Sequence, residues 1–311
     1  MTSFGPEDEC RDREILVLGS SGMAGHVVSV HLEEQGYQVT KVAGSYRTDL
    51  DTIVIDVTDH AELDEVLRRR PYAAVVNCIG LLVKESERRP SRAAYLNAYL
   101  PHYLEEFFGA VDTKVIHLST DCVFAGTSAP YIESAPRDGR TFYDRSKALG
   151  EIENEKDITL RMSLIGPELR DSGTGLMHWF LGQSGDVRGY TNVIWNGITT
   201  LELAKAIIRL LDSEVAGIYH LVPDYSISKF ELLRLIGDVF GRKDINLRPD
   251  ESLVSDKTLV DTRRELPFVL AQAGYRGMIE ELLVWTASHW KLYAGMQRYG
   301  RGNLAQVGGV L

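Results

Sequence analysis

From Glu14 onward the chain alternates between two hydrophobic rhythms. Ile15-Leu16-Val17-Leu18 is a continuous apolar run closed by Gly19. That pattern suits a strand buried on both faces of a parallel sheet. Ala24, Val27, Val28 and Leu32 then recur at helical spacing, and Gly36 ends the stretch. The alternation repeats. Strands are predicted over Gln38–Ala43, Thr52–Ile55, Ala73–Cys78, Lys114–Leu118 and Ile158–Arg161. Helices are predicted over Thr58–Arg70, Pro90–Phe108 and Phe142–Glu155, the first with Thr58 or Asp59 as its cap. Strands alternating with helices mean a doubly wound parallel sheet.

After Ile165 the rhythm loosens and glycines become frequent. Helices over Thr199–Leu211, Ser228–Phe240 and Tyr275–Tyr293, and a strand over Gly217–Leu221, are still legible. The expected architecture is α/β. A Rossmann-type sheet occupies residues 12–165, with 198–221 returning to it, and a smaller, mainly helical substrate domain fills 166–311. The first twelve residues read as a loose polar leader and the Gly-rich segment from Arg298 as a frayed end.

Charge and composition narrow the function. Asp and Glu number 44 against 34 Lys and Arg, a net charge of −10, and mean hydropathy is −0.13. An acidic chain with no basic face does not bind nucleic acid generally. No run approaches a membrane span, and the start has no apolar signal core. Three cysteines, Cys10, Cys78 and Cys122, make neither a disulfide framework nor a metal-ligand set. A reducing, cytoplasmic setting is expected, with no metal.

Gly19-Ser20-Ser21-Gly22-Met23-Ala24-Gly25 lies between the first strand and the first helix. The first glycine permits the tight turn, the second lets backbone approach a pyrophosphate, and the third allows close helix–strand packing. Free N–H groups of the helix N-terminus then face the phosphates. Gly19, Ser21, Gly22, Met23 and Gly25 are therefore candidate cofactor residues. The spacing resembles that of the extended short-chain dehydrogenase/reductase superfamily. No acid follows the second strand, and Arg47 does. This favours NADP(H) over NAD(H), with Arg47 or Lys41 on the extra phosphate. Asp56-Val57 and Asn77 match superfamily cofactor positions, with Gly80 close behind, although Asp56 equally suits a helix cap. Asn97 matches a positional or structural one.

Tyr143 and Lys147 stand four apart on one helix face. A nearby ammonium lowers a phenol's pKa, and such a pair can pass a proton to a carbonyl oxygen as hydride reaches its carbon. At the end of the fifth strand Thr120, with Ser119 as the alternative, can donate to that oxygen. Ser119-Thr120-Asp121-Cys122-Val123-Phe124, Tyr143-x-x-x-Lys147 and Leu160-Arg161-Met162-Ser163 together resemble the dTDP-4-dehydrorhamnose reductase family, and the similarity covers most of residues 14–265. The resemblance implies reduction of a 4-keto-6-deoxy sugar on a nucleotide diphosphate. Tyr143 would donate the proton, Lys147 support it and Thr120 polarise the ketone.

Related activities shape the alternatives. Dehydratases of this fold carry Asp-Glu where this chain has Asp121-Cys122, so elimination lacks its base. The GDP-fucose synthase type pairs Cys and His; Cys122 is offset by one, and His178 reads as packed or surface-exposed. A 4-epimerase shares the Thr/Tyr/Lys set. The regulatory subunit of methionine adenosyltransferase resembles the same family and acts by binding a partner. For the substrate side, Lys84, Asp121, Trp195, Asn196 and Arg263 are the candidates. Leu96, Leu100, Leu104 and Phe107 are spaced for burial, and helices 90–108 and 142–155 leave room for a homodimer seam.

Overall fold

The computed structural model describes residues 13–44 and 47–293. The leader and the segment from Arg298 lie outside them. Seven parallel strands form the central sheet in the order β11-β6-β5-β4-β1-β2-β3. They are β1 (Glu14–Leu18), β2 (Gln38–Ala43), β3 (Ile53–Val54), β4 (Ala74–Asn77), β5 (Lys114–Leu118), β6 (Ile158–Arg161) and β11 (Gly217–His220). The strand order reverses between β1 and β4. The crevice beyond their carboxyl ends is where open α/β sheets bind ligands. This is the Rossmann-type architecture.

Two apolar cores flank the sheet because its strands are apolar on both faces. One buries Leu16, Leu18, Val75 and Val115 under α2 (His60–Arg68) and α5 (Leu100–Phe107). The other buries Ile15, Val17, Val76 and Ile116 under α1 (Met23–Glu34) and α8 (Thr200–Leu211). Asp59, not Thr58, caps α2, its carboxylate accepting from Ala61 and Glu62 N–H. Leu96, Leu100 and Leu104 are buried as expected. The helix of residues 90–107 is interrupted by a π-helical turn at Ala94–Tyr99, which carries Asn97.

The second half is less helical than expected. Short strands β8 (Gly185–Tyr190) and β13 (Ile245–Asp250) pair in parallel against α9 (Lys229–Val239), and β9 (Val193–Trp195) joins β12 (Ile227–Ser228) and β14 (Ser255–Asp256). The final helix α10 (Gly274–Ser288) was expected with the second domain. It packs chiefly on α9 there, and its last turn also reaches α1 of the first, where Trp285 Nε1 donates to Glu34. Among the described residues no helix is long and apolar enough to cross a membrane.

Helix α6 (Phe142–Leu149) stops six residues short of its expected end at Glu155. Gly150 lies so close to the Asn97 carbonyl that a Cβ there would sit 1.9 Å from its oxygen. The chain then turns Glu151 inward. Its carboxylate takes two hydrogen bonds from Arg161 at the end of β6, at 2.7 and 2.8 Å, and one from Ser119 at the end of β5, at 2.7 Å. Arg137 adds a further contact at 2.8 Å. Glu151 and Arg161 side chains are both fully buried. Removing one partner of such a pair strands the other charge, at a cost of about 3–5 kcal/mol. Glu151→Gln is expected to lower unfolding free energy by about that amount in chemical denaturation. A loss well under about 1 kcal/mol would contradict this role.

Candidate active site

The glycine turn closes over the carboxyl end of β1. Gly19 has φ +82°, in the region that favours glycine. A Cβ on Gly25 would sit 2.1 Å from the Gly19 carbonyl oxygen, so turn and helix are as close as backbone allows. Gly22 is the N-cap of α1 and offers no side chain to satisfy the first N–H groups. The turn therefore presents bare backbone donors at a helix N-terminus, the cradle an anionic phosphate fits.

Across the crevice stand β5 and α6. Thr120 is buried; its Oγ1 accepts from Cys122 N–H at 3.1 Å and donates to Asp121 at 3.0 Å. The alternative hydroxyl, Ser119, is taken by Glu151. Asp144, at the N3 position of α6, forms a capping box with Thr141. That fixes the first turn of the helix, where Tyr143 lies. Burial and the neighbouring Cys122 push the Tyr143 phenol up, against a hydrogen bond with Thr120. The lowering expected from Lys147 is therefore not what the structure gives. Lys147 is turned into the end of the sheet, where Nζ donates to the Leu118 carbonyl at 2.6 Å and lies 3.1 Å from His117 Nε2. Burial lowers its pKa to about 8, with Glu151 pulling it back up. His117 also meets Asn77 Nδ2 at 3.2 Å, so Asn77, His117 and Lys147 form one buried chain.

The remaining candidates divide. Asn77 Oδ1 accepts from Ile79 N–H, which shapes the loop leading to exposed Gly80. Asn97 holds that loop to α6, bonding both Leu81 backbone groups and Ser146. Asp56 accepts from Thr58 and pairs with Arg92, while Val57 is buried beside it. Lys84 is exposed on α3 (Val83–Arg88), whose Glu87 accepts from Phe142 N–H. Arg47 is exposed beyond β2, whereas Lys41 is engaged by Glu33 and Asp49 and is not available to a phosphate.

Three expectations on the substrate side fail. Trp195 is buried, donates to Ser163 at 2.8 Å and packs its ring on Gly197 and Tyr275, so it holds the fold and presents no face to a base. Asn196 has its amide paired with both backbone groups of Leu259. Arg263 lies at the amino end of β11, the wrong end of the sheet. It donates to the Ala216 and Ile218 carbonyls and stacks over Tyr219. The charges that do face the site were missed. Lys229, at the start of α9, and Lys257 both act on Asp121, whose pKa burial raises against them. Neither stands in a recognisable motif, and only the folding of the second half over the first brings them there. Cys122 is pushed up to about 12 by burial, and His178 is buried on α7 (Leu176–Leu181) with Nε2 3.4 Å from the Asp171 carbonyl.

A model of the RmlD substrate binding domain matches residues 13–254. A dTDP-4-dehydrorhamnose reductase of Streptomyces griseus is 34% identical over 138 residues, which span 44% of this chain and 43% of that protein. The chain thus matches less than half the length of that relative. A methionine adenosyltransferase 2 subunit beta of Pongo abelii is 22% identical over 81% of this chain and 78% of its own. Among solved structures, a dTDP-4-dehydrorhamnose reductase of Bacillus anthracis in complex with NADP superposes with a TM-score of 0.73. That match covers 88% of this chain and 99% of the other at 18% identity, and it speaks to the fold.

The buried Lys147 has a consequence for stability. Unfolded, it titrates at the ordinary 10.5; folded, at about 8. Between those values the folded chain binds less proton than the unfolded one, so stability rises with pH through that window. Relative to Lys147→Met, the wild-type chain is expected to gain about 2 kcal/mol in unfolding free energy from pH 7 to pH 10. Parallel denaturation curves for the two proteins would show no such divergence if the amine were solvated.

Proposed function

The chain belongs to the RmlD substrate binding domain family, and from that premise we propose that it is an NADPH-dependent ketoreductase acting on the 4-keto group of a nucleotide-diphosphate 4-keto-6-deoxy sugar. The observation that carries the reading is the Tyr143–Thr120 hydrogen bond, with Lys147 one helical turn on at the end of β5, beside a bare glycine turn on α1. The cradle made by Gly19, Ser21, Gly22, Met23 and Gly25 would hold the pyrophosphate. Asp56, Val57, Asn77 and Gly80 would line the adenosine and ribose side, and Arg47 would meet the 2′-phosphate. When bound, the nicotinamide supplies the hydride.

The chain's own residues do the rest. Tyr143, kept protonated by burial, gives its proton to the keto oxygen as negative charge develops there. Thr120 orients that oxygen and the phenol together. Lys147, charged below about pH 8, stabilises the phenolate left behind. Lys229 and Lys257, which both act on Asp121, are better placed than Arg263 to meet the substrate's diphosphate, and exposed Lys84 is a further candidate. No carboxylate follows Asp121, which disfavours dehydration. The epimerase alternative, which shares this set, is disfavoured by the missing acid after β2. Similarity to the methionine adenosyltransferase subunit supports a second reading, in which NADP is held and no turnover occurs.

Oxidation of NADPH, followed with a panel of 4-keto sugar nucleotides, separates the two. Tight NADPH binding with no turnover on any substrate would favour the regulatory reading. Tyr143→Phe is expected to leave cofactor affinity nearly intact and to lower turnover by roughly 10²-fold or more. Near-normal turnover would remove Tyr143 from the chemistry. Arg47→Ala should weaken NADPH at least about 10-fold more than NADH, the scale of one charge-assisted contact. Equal losses would refute the cofactor assignment.

A further inference from the structure

The last described residues reach back to the glycine turn. His26 is buried one turn into α1, with Nδ1 2.7 Å from the Gly22 carbonyl oxygen and Nε2 2.7 Å from the Tyr293 hydroxyl. A carbonyl oxygen only accepts, so Nδ1 carries the proton. Burial lowers the His26 pKa to about 4, so the ring is neutral and Nε2 is the acceptor. The Tyr293 hydroxyl is therefore the donor, and the polarity of the chain Tyr293, His26, Gly22 is fixed.

The Gly22 carbonyl takes a second bond from His26 N–H at 3.1 Å. That carbonyl and the Met23 N–H belong to one planar trans peptide and point in opposite directions. Pinning the oxygen toward the body of α1 therefore aims the Met23 N–H out of the helix N-terminus, where the phosphates would lie. Tyr293 ends the 3-10 turn Trp290–Tyr293, beyond residue 254 where the family match stops. The same segment grips the far end of α1, where His289 and Trp285 both contact Glu34.

We infer that Tyr293 and His26 are positioning residues that hold the Gly22–Met23 peptide in its phosphate-binding orientation, so that the C-terminal segment tunes cofactor affinity. This rests on the dinucleotide reading of the glycine turn. Loss of the Tyr293 donor frees the imidazole to change tautomer. An Nδ1 lone pair would then face the Gly22 oxygen and release the peptide.

Tyr293→Phe removes the hydroxyl and keeps the ring. NADPH titration should show binding roughly 3- to 10-fold weaker than wild type, the scale of one hydrogen bond. Amide exchange at Met23 and its neighbours should quicken without ligand. Glu34→Gln, which removes the ion pair with His289 at the other end of α1 but keeps the Tyr293 hydroxyl on His26, should weaken NADPH much less than Tyr293→Phe does. A purely structural role predicts a lower melting temperature for Tyr293→Phe at unchanged affinity and exchange. That result overturns the inference, as does equal weakening by Glu34→Gln. A wild-type chain that binds no NADPH overturns the dinucleotide reading itself, and this inference with it.

Discussion

The buried pair of Glu151 and Arg161 is the constraint on which the active face depends. Helix α6 carries Tyr143 and Lys147, and Lys147 itself reaches the Leu118 carbonyl at the end of β5. Glu151 adds the stronger tie, because it follows the helix directly and binds the ends of both β5 and β6. Arg161 extends the tie, donating to the Glu133 carbonyl and lying 3.2 Å from His220 Nε2. His220 Nδ1 is in turn 2.9 Å from the Val260 carbonyl. One ion pair thus ties α6 to three strand ends, to the Glu133 loop of the first half and to the Val260 loop of the second. An apolar replacement could match its stability, but it would fix neither direction nor distance so narrowly.

What was legible in the sequence was what is local. The glycine turn declares itself because three glycines within seven residues can be read against a preceding apolar run. Tyr143 and Lys147 are legible because helical spacing puts them on one face. Thr120 is legible by its place after a buried strand. The failures share a different cause. Arg263 is a plausible phosphate ligand until the structure shows it at the amino end of β11. Lys41 is a plausible cation until Glu33 and Asp49 are found around it. Trp195 and Asn196 are spent on partners 32 and 63 positions away. Each depends on which end of the sheet, or which distant neighbour, a side chain meets. Residue spacing does not encode that.

The same reasoning resolves the charge balance. A chain at −10 has no long-range attraction for an anionic ligand. The acidity is distributed over the surface in pairs, such as Glu231 with Arg234 and Asp186 with Arg248, which largely cancel at short range. The crevice itself is approached by bare backbone N–H groups on one side and by Lys229 and Lys257 on the other. Attraction is therefore a matter of the last few ångströms, where screening by salt is weakest.

Burial also sets the protonation states around Tyr143 and Lys147. It raises Tyr143 and lowers Lys147, so both groups are driven toward their neutral forms. A phenol with a raised pKa is a weaker acid, but at neutral pH it is fully protonated and so always holds a proton to give. On the proposed reading it keeps its proton until a neighbouring keto oxygen gains enough negative charge to take it. Oxidation of an alcohol would need the phenolate first, and here that form is penalised twice, by desolvation and by the Cys122, Asp121 and Asp144 side chains around it. Lys147, lowered to about 8 by burial, is kept charged in part by Glu151. The residue that anchors the helix thus also biases the proton on it. Structural and electrostatic demands meet in one carboxylate.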